Sequence, residues 1–208
     1  AQNHQLLKIK RGVEKESLRT TNNGFISINP HPEALGSALT HPSITTDFSE
    51  ALLEFITAPY KNISELLNEL DDIHRFVHAQ IGEELLWVNS MPCQIKADTD
   101  IPIANFGESN VGKMKHIYRI GLGHRYGRSM QTIAGIHYNF SVPDPIWHLI
   151  ATFRKPGLSF KDIKTDGYFG LIRNFRRSAW LLNYLLGATP SVCGSFVDGK
   201  THKLALLN

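Results

Sequence analysis

Cysteine, long apolar runs and an excess of either charge are all scarce in this chain of 208 residues. The only two cysteines, Cys93 and Cys193, lie far apart with no metal-type partner, which excludes a disulfide framework and a zinc finger and predicts buried, reduced thiols. No apolar run approaches the ~18 residues of a membrane span, and no charged-then-apolar leader opens the chain. The expectation is a cytoplasmic protein with no membrane partner. The 22 Lys and Arg are scattered among 19 Asp and Glu, for a net charge of +3. Without a basic block, or a basic stripe interleaved with aromatics, nucleic acid is a poor partner and small anions are better ones.

What is present suits a globular core: 42% of the residues are hydrophobic, and no repeat, low-complexity tract or linker divides them. Ala1 stands where Met usually does, and a strand begins within the first ten residues, so the chain is expected to be a fragment, with residues 1–208 as a single domain. KIKRGVEKESLRT and GFISIN flank the turn signal TNNG and predict a hairpin. HPEALGSALTHPSI reads as loop with a short helix at most, and ALLEFIT as a strand or a helical run. Asn62 with Glu65 predicts a helix cap, and Ile63, Leu66, Leu67, Leu70, Ile73 and Val77 recur at helical spacing behind it. KMKHIYRIGLGHRYG is a basic helix. QTIAGIHYNFSV alternates as a strand with Gln131, His137 and Asn139 on one face. A short helix around PIWHLIATFR and a long one from Tyr168 to Leu186, ended by Gly187 and Pro190, complete an α+β unit.

Within that frame, period-2 geometry sends Glu14 and Glu16 to one face of a strand and Val13, Lys15 and Ser17 to the other. Two like charges side by side suit either open water or a cation between them. Asp47 fits a turn cap or a ligand, and His137 fits a hydrogen-bonded core histidine or a ligand. Glu54 is different, because an acid set inside ALLEFIT needs a partner when buried. Together Glu14, Glu16, Asp47, Glu54 and His137 would make an oxygen-rich site with one imidazole, suited to Mg²⁺ or Mn²⁺ rather than zinc.

The words RGVEKESLR, HPEALGSALTHPSITTDFSEALLEFIT, SMPC, RYGRSMQTIAGIHYNFS and GYFGLIRNFRRSAWLLNYLLGATPSVCGSF closely resemble the proteobacterial type of glutamate–cysteine ligase, nearly end to end. Residues 142 to 166 are the divergent stretch. The resemblance implies the glutamine-synthetase-like superfamily, with a largely antiparallel sheet forming part of a funnel and helices packed on it. It implies that Glu14, Glu16, Asp47, Glu54 and His137 are Mg²⁺ ligands, with Mn²⁺ as a substitute. It also implies that Phe48, Tyr118, Leu122 and Gln131 line the cysteine side, although Tyr118 and Leu122, four apart on a helix, equally fit core packing, as does Phe48. The implied substrates are L-glutamate, L-cysteine and ATP, joined through a γ-glutamyl phosphate in the first step of glutathione biosynthesis. Arg119 and Lys113 fit phosphate or carboxylate binding, with surface solvation the plainer account of both.

Members of the family are much longer than this chain, and their later strands supply a further acidic ligand, arginines and much of the nucleotide pocket. An unpaired sheet edge is therefore expected where those strands belong, with association through it. The alternatives are another carboxylate–amine ligase of the same superfamily, separable by offering alanine, 2-aminobutyrate or ammonia in place of cysteine, and a non-catalytic fragment, recognisable by a stable fold without Mg-dependent ATP use.

Overall fold

Strand β1 (Lys10–Thr20) lies at the centre of the sheet and serves neighbours along both edges. The computed structural model describes residues 8–92, 94–153, 157–187, 191–197, 201, 203 and 205–207. Beyond β2 (Ile44–Thr46), β3 (Leu52–Ile56) runs antiparallel to β1, with Glu16 opposite Glu54 and Leu18 opposite Leu52. The other edge of β1 is shared by β4 (Leu85–Trp87), opposite Leu18 to Thr20, and β5 (Ile136–Ser141), opposite Lys10 to Lys15. All of these pairings are antiparallel, so the five-stranded sheet is antiparallel throughout. A separate parallel pair joins β6 (Ser191–Cys193) to β7 (Ala205–Leu207).

Five helices accompany the strands among the described residues: α1 (Ile63–Gln80), α2 (Asn110–Tyr126), α3 (Asp144–Ala151), α4 (Phe160–Leu186) and α5 (Gly194–Val197). The cap of α1 is as the sequence predicts, with Asn62 Oδ1 accepting from the Ser64 amide at 2.8 Å. Its inner stripe, Ile73 and Val77 with Leu70 alongside, packs on Leu53 and Phe55, the face of β3 that points away from Glu54. Ile63 and Leu67, on the same period, stay exposed because the stripe the sheet covers is narrower than the apolar pattern.

Several elements depart from expectation. Gly24, at φ +79°, makes the predicted turn, but the return arm pairs only through Thr20 and Ile26. From Leu18 back to Glu14, β3 already holds that edge of β1. The strand predicted across QTIAGIHYNFSV begins only at Ile136; Gln131 sits instead in a 3₁₀ turn over Ser129–Thr132, whose start is fixed by Asp98 accepting from the Arg128 and Ser129 amides. Helix α4 begins eight residues before Tyr168, where Ser159 accepts from the Asp162 amide. Gly157, Gly167 and Gly170 hide this start in the sequence. Gly167 is required by packing, since a Cβ there would stand 2.2 Å from the Trp147 ring. SVCGSF divides into β6 and α5. Cys93 and Pro190 lie outside the described residues. Cys193 is half-buried beside Ser195.

A second buried feature locks the far end of β1. Arg19, fully buried, donates to the carbonyls of Asn29, Pro30 and Glu50 at 2.9 Å each and pairs with Glu84, which also accepts from Ser27 and Asn29. One guanidinium thus ties together three loop segments, at residues 29–30, Glu50 and Glu84.

Candidate metal and substrate site

On β1, Glu14 and Glu16 face the same way. β3 brings Glu54 directly beside Glu16, and β5 brings His137 directly beside Glu14. Four of the five acid and imidazole positions named from the sequence therefore share one face of three adjacent strands. Asp47, just past β2, completes the group electrostatically, because its charge acts on both Glu16 and Glu54. Burial raises the carboxyl of Glu54 above its usual range, and the charges of Asp47, Glu14 and Glu16 push it further. Burial likewise raises Glu16, opposed by the Gly135 amide that donates to its Oε2 at 2.6 Å. Two ionised acids held beside three like neighbours are costly without a cation.

The second link is hydrogen bonding. Glu14 Oε2 meets His137 Nδ1 at 2.9 Å and Glu14 Oε1 accepts from Asn139 Nδ2 at 2.9 Å. This contact with Glu14 raises the His137 imidazole above its ordinary value and outweighs the opposing effect of partial burial. In the neutral imidazole, Nδ1–H donating to Glu14 leaves Nε2 as the acceptor. A Cβ at Gly135 would lie 3.6 Å from Glu16 Oε2 and 3.7 Å from His137 Nε2, so both atoms lie beside the same bare backbone.

Carboxylates with one imidazole are the donor set of a hard divalent cation, and in chemistry these residues fit Mg²⁺ or Mn²⁺. Among the described residues, no three Asp, Glu, His or Cys side chains gather closely enough to hold an ion in this arrangement. Taking one would require these side chains to draw closer together. Glu14 also lines an open cavity of about 230 Å³ that spans β5, β1 and the end of β3, with Lys10, Gly12, Ile56, Pro59, Asn139 and Ser141 around it.

The residues named for the acceptor side are placed less uniformly. Phe48 is fully buried, its ring against Gly123 of α2, and so belongs to the core under that helix. Leu122 is half-buried on α2, Tyr118 is exposed one turn earlier, and Gln131 is half-buried in its 3₁₀ turn. Lys113 is an exposed partner of Glu108, as surface solvation predicts. Arg119 is not a surface residue. Its guanidinium stacks on Phe106 at 4.5 Å and its Nε donates to the Asp47 carbonyl. Sequence reasoning also passed over Glu50, a buried acid that accepts from the main-chain amides of His31 and Asn105. Its neighbours, Ser49 and Ala51, give no apolar pattern that would have singled it out.

A family model described as glutamate-cysteine ligase matches residues 1–208, and the chain belongs to that family. It is 57% identical over 199 residues to the glutamate–cysteine ligase of Alcanivorax borkumensis, covering 96% of this chain and 38% of the relative. It is 54% identical to that of Saccharophagus degradans with the same coverage. Among solved structures, the glutamate–cysteine ligase of Francisella tularensis in complex with AMP superposes with TM-score 0.84 at 42% identity, over 93% of this chain and 38% of that one. A bifunctional glutathione synthetase from Pasteurella multocida gives 0.82 at 34% identity, over 95% and 26%. The chain therefore spans about two-fifths of the length of these ligases, and the α+β architecture with its antiparallel sheet is theirs.

Proposed function

We propose that this chain carries the metal-binding wall of an ATP- and Mg²⁺-dependent ligase that joins the γ-carboxylate of L-glutamate to the amine of L-cysteine. The observation that carries this reading is the convergence of Glu14, Glu16, Glu54 and His137 on one face of β1, β3 and β5, with Asp47 in electrostatic reach. A carboxylate is a poor acyl donor at neutral pH, so it is activated by attack on the γ-phosphate of ATP, which forms γ-glutamyl phosphate and releases ADP. The cysteine amine then displaces phosphate. A divalent cation held by Glu14, Glu16, Asp47, Glu54 and His137 would neutralise the charge that develops on the phosphoryl oxygens.

The side chains serve this scheme without acting as nucleophiles. Asn139 and His137 orient Glu14 through hydrogen bonds, and the Gly135 amide orients Glu16. The cavity beside Glu14, with Lys10 and Ser141 at its rim and Phe140 in its wall, is placed to receive part of the nucleotide. Tyr118, Leu122 and Gln131 would line the acceptor side, with Phe48 supporting α2 beneath the first two. The cytoplasm, which keeps thiols reduced, is the compartment that fits a cysteine substrate.

The test is ADP release by the purified chain with glutamate, cysteine, ATP and Mg²⁺, beside Glu54→Gln. Turnover that needs both amino acids and is lost in the variant supports the ligase. A second reading follows from the 38% share of the relatives' length: a metal- and substrate-binding portion that turns over only with the rest of the fold. The exposed Phe169, Ile172, Phe175 and Trp180 of α4 favour it, as surface the remainder would cover. No ADP release, together with Mn²⁺ uptake that Glu54→Gln abolishes, would select this second reading.

A further inference from the structure

Helix α2 has no continuous apolar stripe with which to dock. Met114, Ile117 and Tyr118 are exposed, and only Gly112 is fully buried. It is held instead by separate contacts: Phe48 against Gly123, the Nδ1–H of His116 donating to the Ala104 carbonyl at 2.7 Å, and the Phe106 ring beneath Lys115 and Arg119. Two of these meet the turn between β2 and β3: Phe48 belongs to it, and Arg119 reaches from the helix to its Asp47 carbonyl. The Nε of Arg119 donates to the Asp47 carbonyl, its Nη1 donates to the Lys115 carbonyl at 3.0 Å, and its Cζ sits over the Phe106 ring, 4.5 Å from the centroid. The same residue lies between Tyr118 and Leu122, while Asp47 is followed directly by Phe48.

We propose that Arg119 is a positioning residue that fastens the turn bearing Asp47 and Phe48 to α2, so that the acidic cluster and the acceptor face of the helix keep one fixed relation. The clamp's functional weight rests on the reading of Asp47 as a metal ligand. Two of the guanidinium's donors are spent on main-chain carbonyls, which sets it apart from a group free to grip substrate. The planar fork matters as much as the charge, because a lysine amine cannot stack flat on Phe106 while donating along both directions.

The experiment compares Arg119→Lys and Arg119→Gln with the parent chain. It reads amide hydrogen exchange at Asp47 and Leu52, whose hydrogen bonds to Leu52 O and Ser49 O close the turn, and Mn²⁺ affinity by electron paramagnetic resonance. Arg119→Lys is expected to speed exchange at both amides and to weaken Mn²⁺ about tenfold, the range for removing a group that orients a ligand. Val77→Ala, cut from the α1 core and chosen for a similar loss of Tm, should move neither reading. Arg119→Lys matching the parent in both overturns the clamp, as does Val77→Ala moving them equally. If the parent takes up no Mn²⁺, the metal reading fails separately, and amide exchange in Arg119→Lys decides the clamp. Should Arg119→Gln not fold, the lysine variant and the parent's Arg119 Nε–H, expected to exchange slowly in ¹⁵N spectra, remain sufficient.

Discussion

The two faces of β1 and β3 use the same alternation for opposite ends. Towards α1 they present Leu53 and Phe55, both fully buried with Ile73 and Val77. Even the cation on that side, Lys15, takes neutral partners, Ser17 Oγ at 2.6 Å and His74 Nε2 at 3.1 Å. Towards the site they present Glu14, Glu16 and Glu54, half-open and mutually repelling. One face stores stability and the other spends it on a charge distribution that only a cation relieves. The difference teaches that the acids can be dense because the hydrophobic face behind them holds their backbones in register.

The largest effect that would test this division is Phe55→Ala. Removing a fully buried ring should cost about 3–5 kcal/mol in urea unfolding while the folded fraction keeps its Mn²⁺ affinity. A parallel loss of metal binding would mean the two faces are not separable. Next, Glu54→Gln removes like-charge repulsion at a cross-strand pair and should stabilise the metal-free protein by up to about 1 kcal/mol while abolishing Mn²⁺ uptake. Destabilisation instead would show Glu54 to be a structural acid.

The third is a pH dependence. Glu16 and Glu54 have carboxyls raised in the folded state, so between 4.5 and those raised values the folded chain binds more protons than the unfolded one. Their contribution is favourable below 4.5 and is lost as pH rises through the folded values. The difference in Tm between the parent and Glu16→Gln/Glu54→Gln should therefore shift against the parent across that window, and saturating Mg²⁺ should flatten it. The smallest effect concerns His74, which burial lowers below 6.5 with Lys15 adding to the shift, while Leu70 O holds its Nδ1–H. Its contribution is present above 6.5 and falls away as pH drops towards the folded value. His74→Gln should remove that component of the Tm profile and leave the site's own pH response unchanged.

Much of the sheet's inner face was legible because β1 and α1 obey simple periods and Asn62 announces its helix, whereas the apolar run of ALLEFIT left β3 open between strand and helix. The site was legible only in part. Alternation put Glu14 and Glu16 together, but that His137, 123 residues later, lies beside Glu14 came from resemblance rather than spacing. Arg119 was misjudged because its stacking partner and the carbonyl it grips are both remote in sequence. Gln131 was put on a strand because alternation also occurs by chance over a 3₁₀ turn that Asp98 holds from thirty residues upstream.

The central position of β1 has a consequence for synthesis. This strand leaves the ribosome before its partner β5, which ends only at Ser141, some 120 residues later. At usual elongation rates that is roughly 6–25 s during which one edge of a strand carrying two acids and four basic residues waits unpaired. Those charges, unwelcome in the finished sheet, keep the waiting edge hydrated and discourage it from pairing with the nascent strand of a neighbouring ribosome.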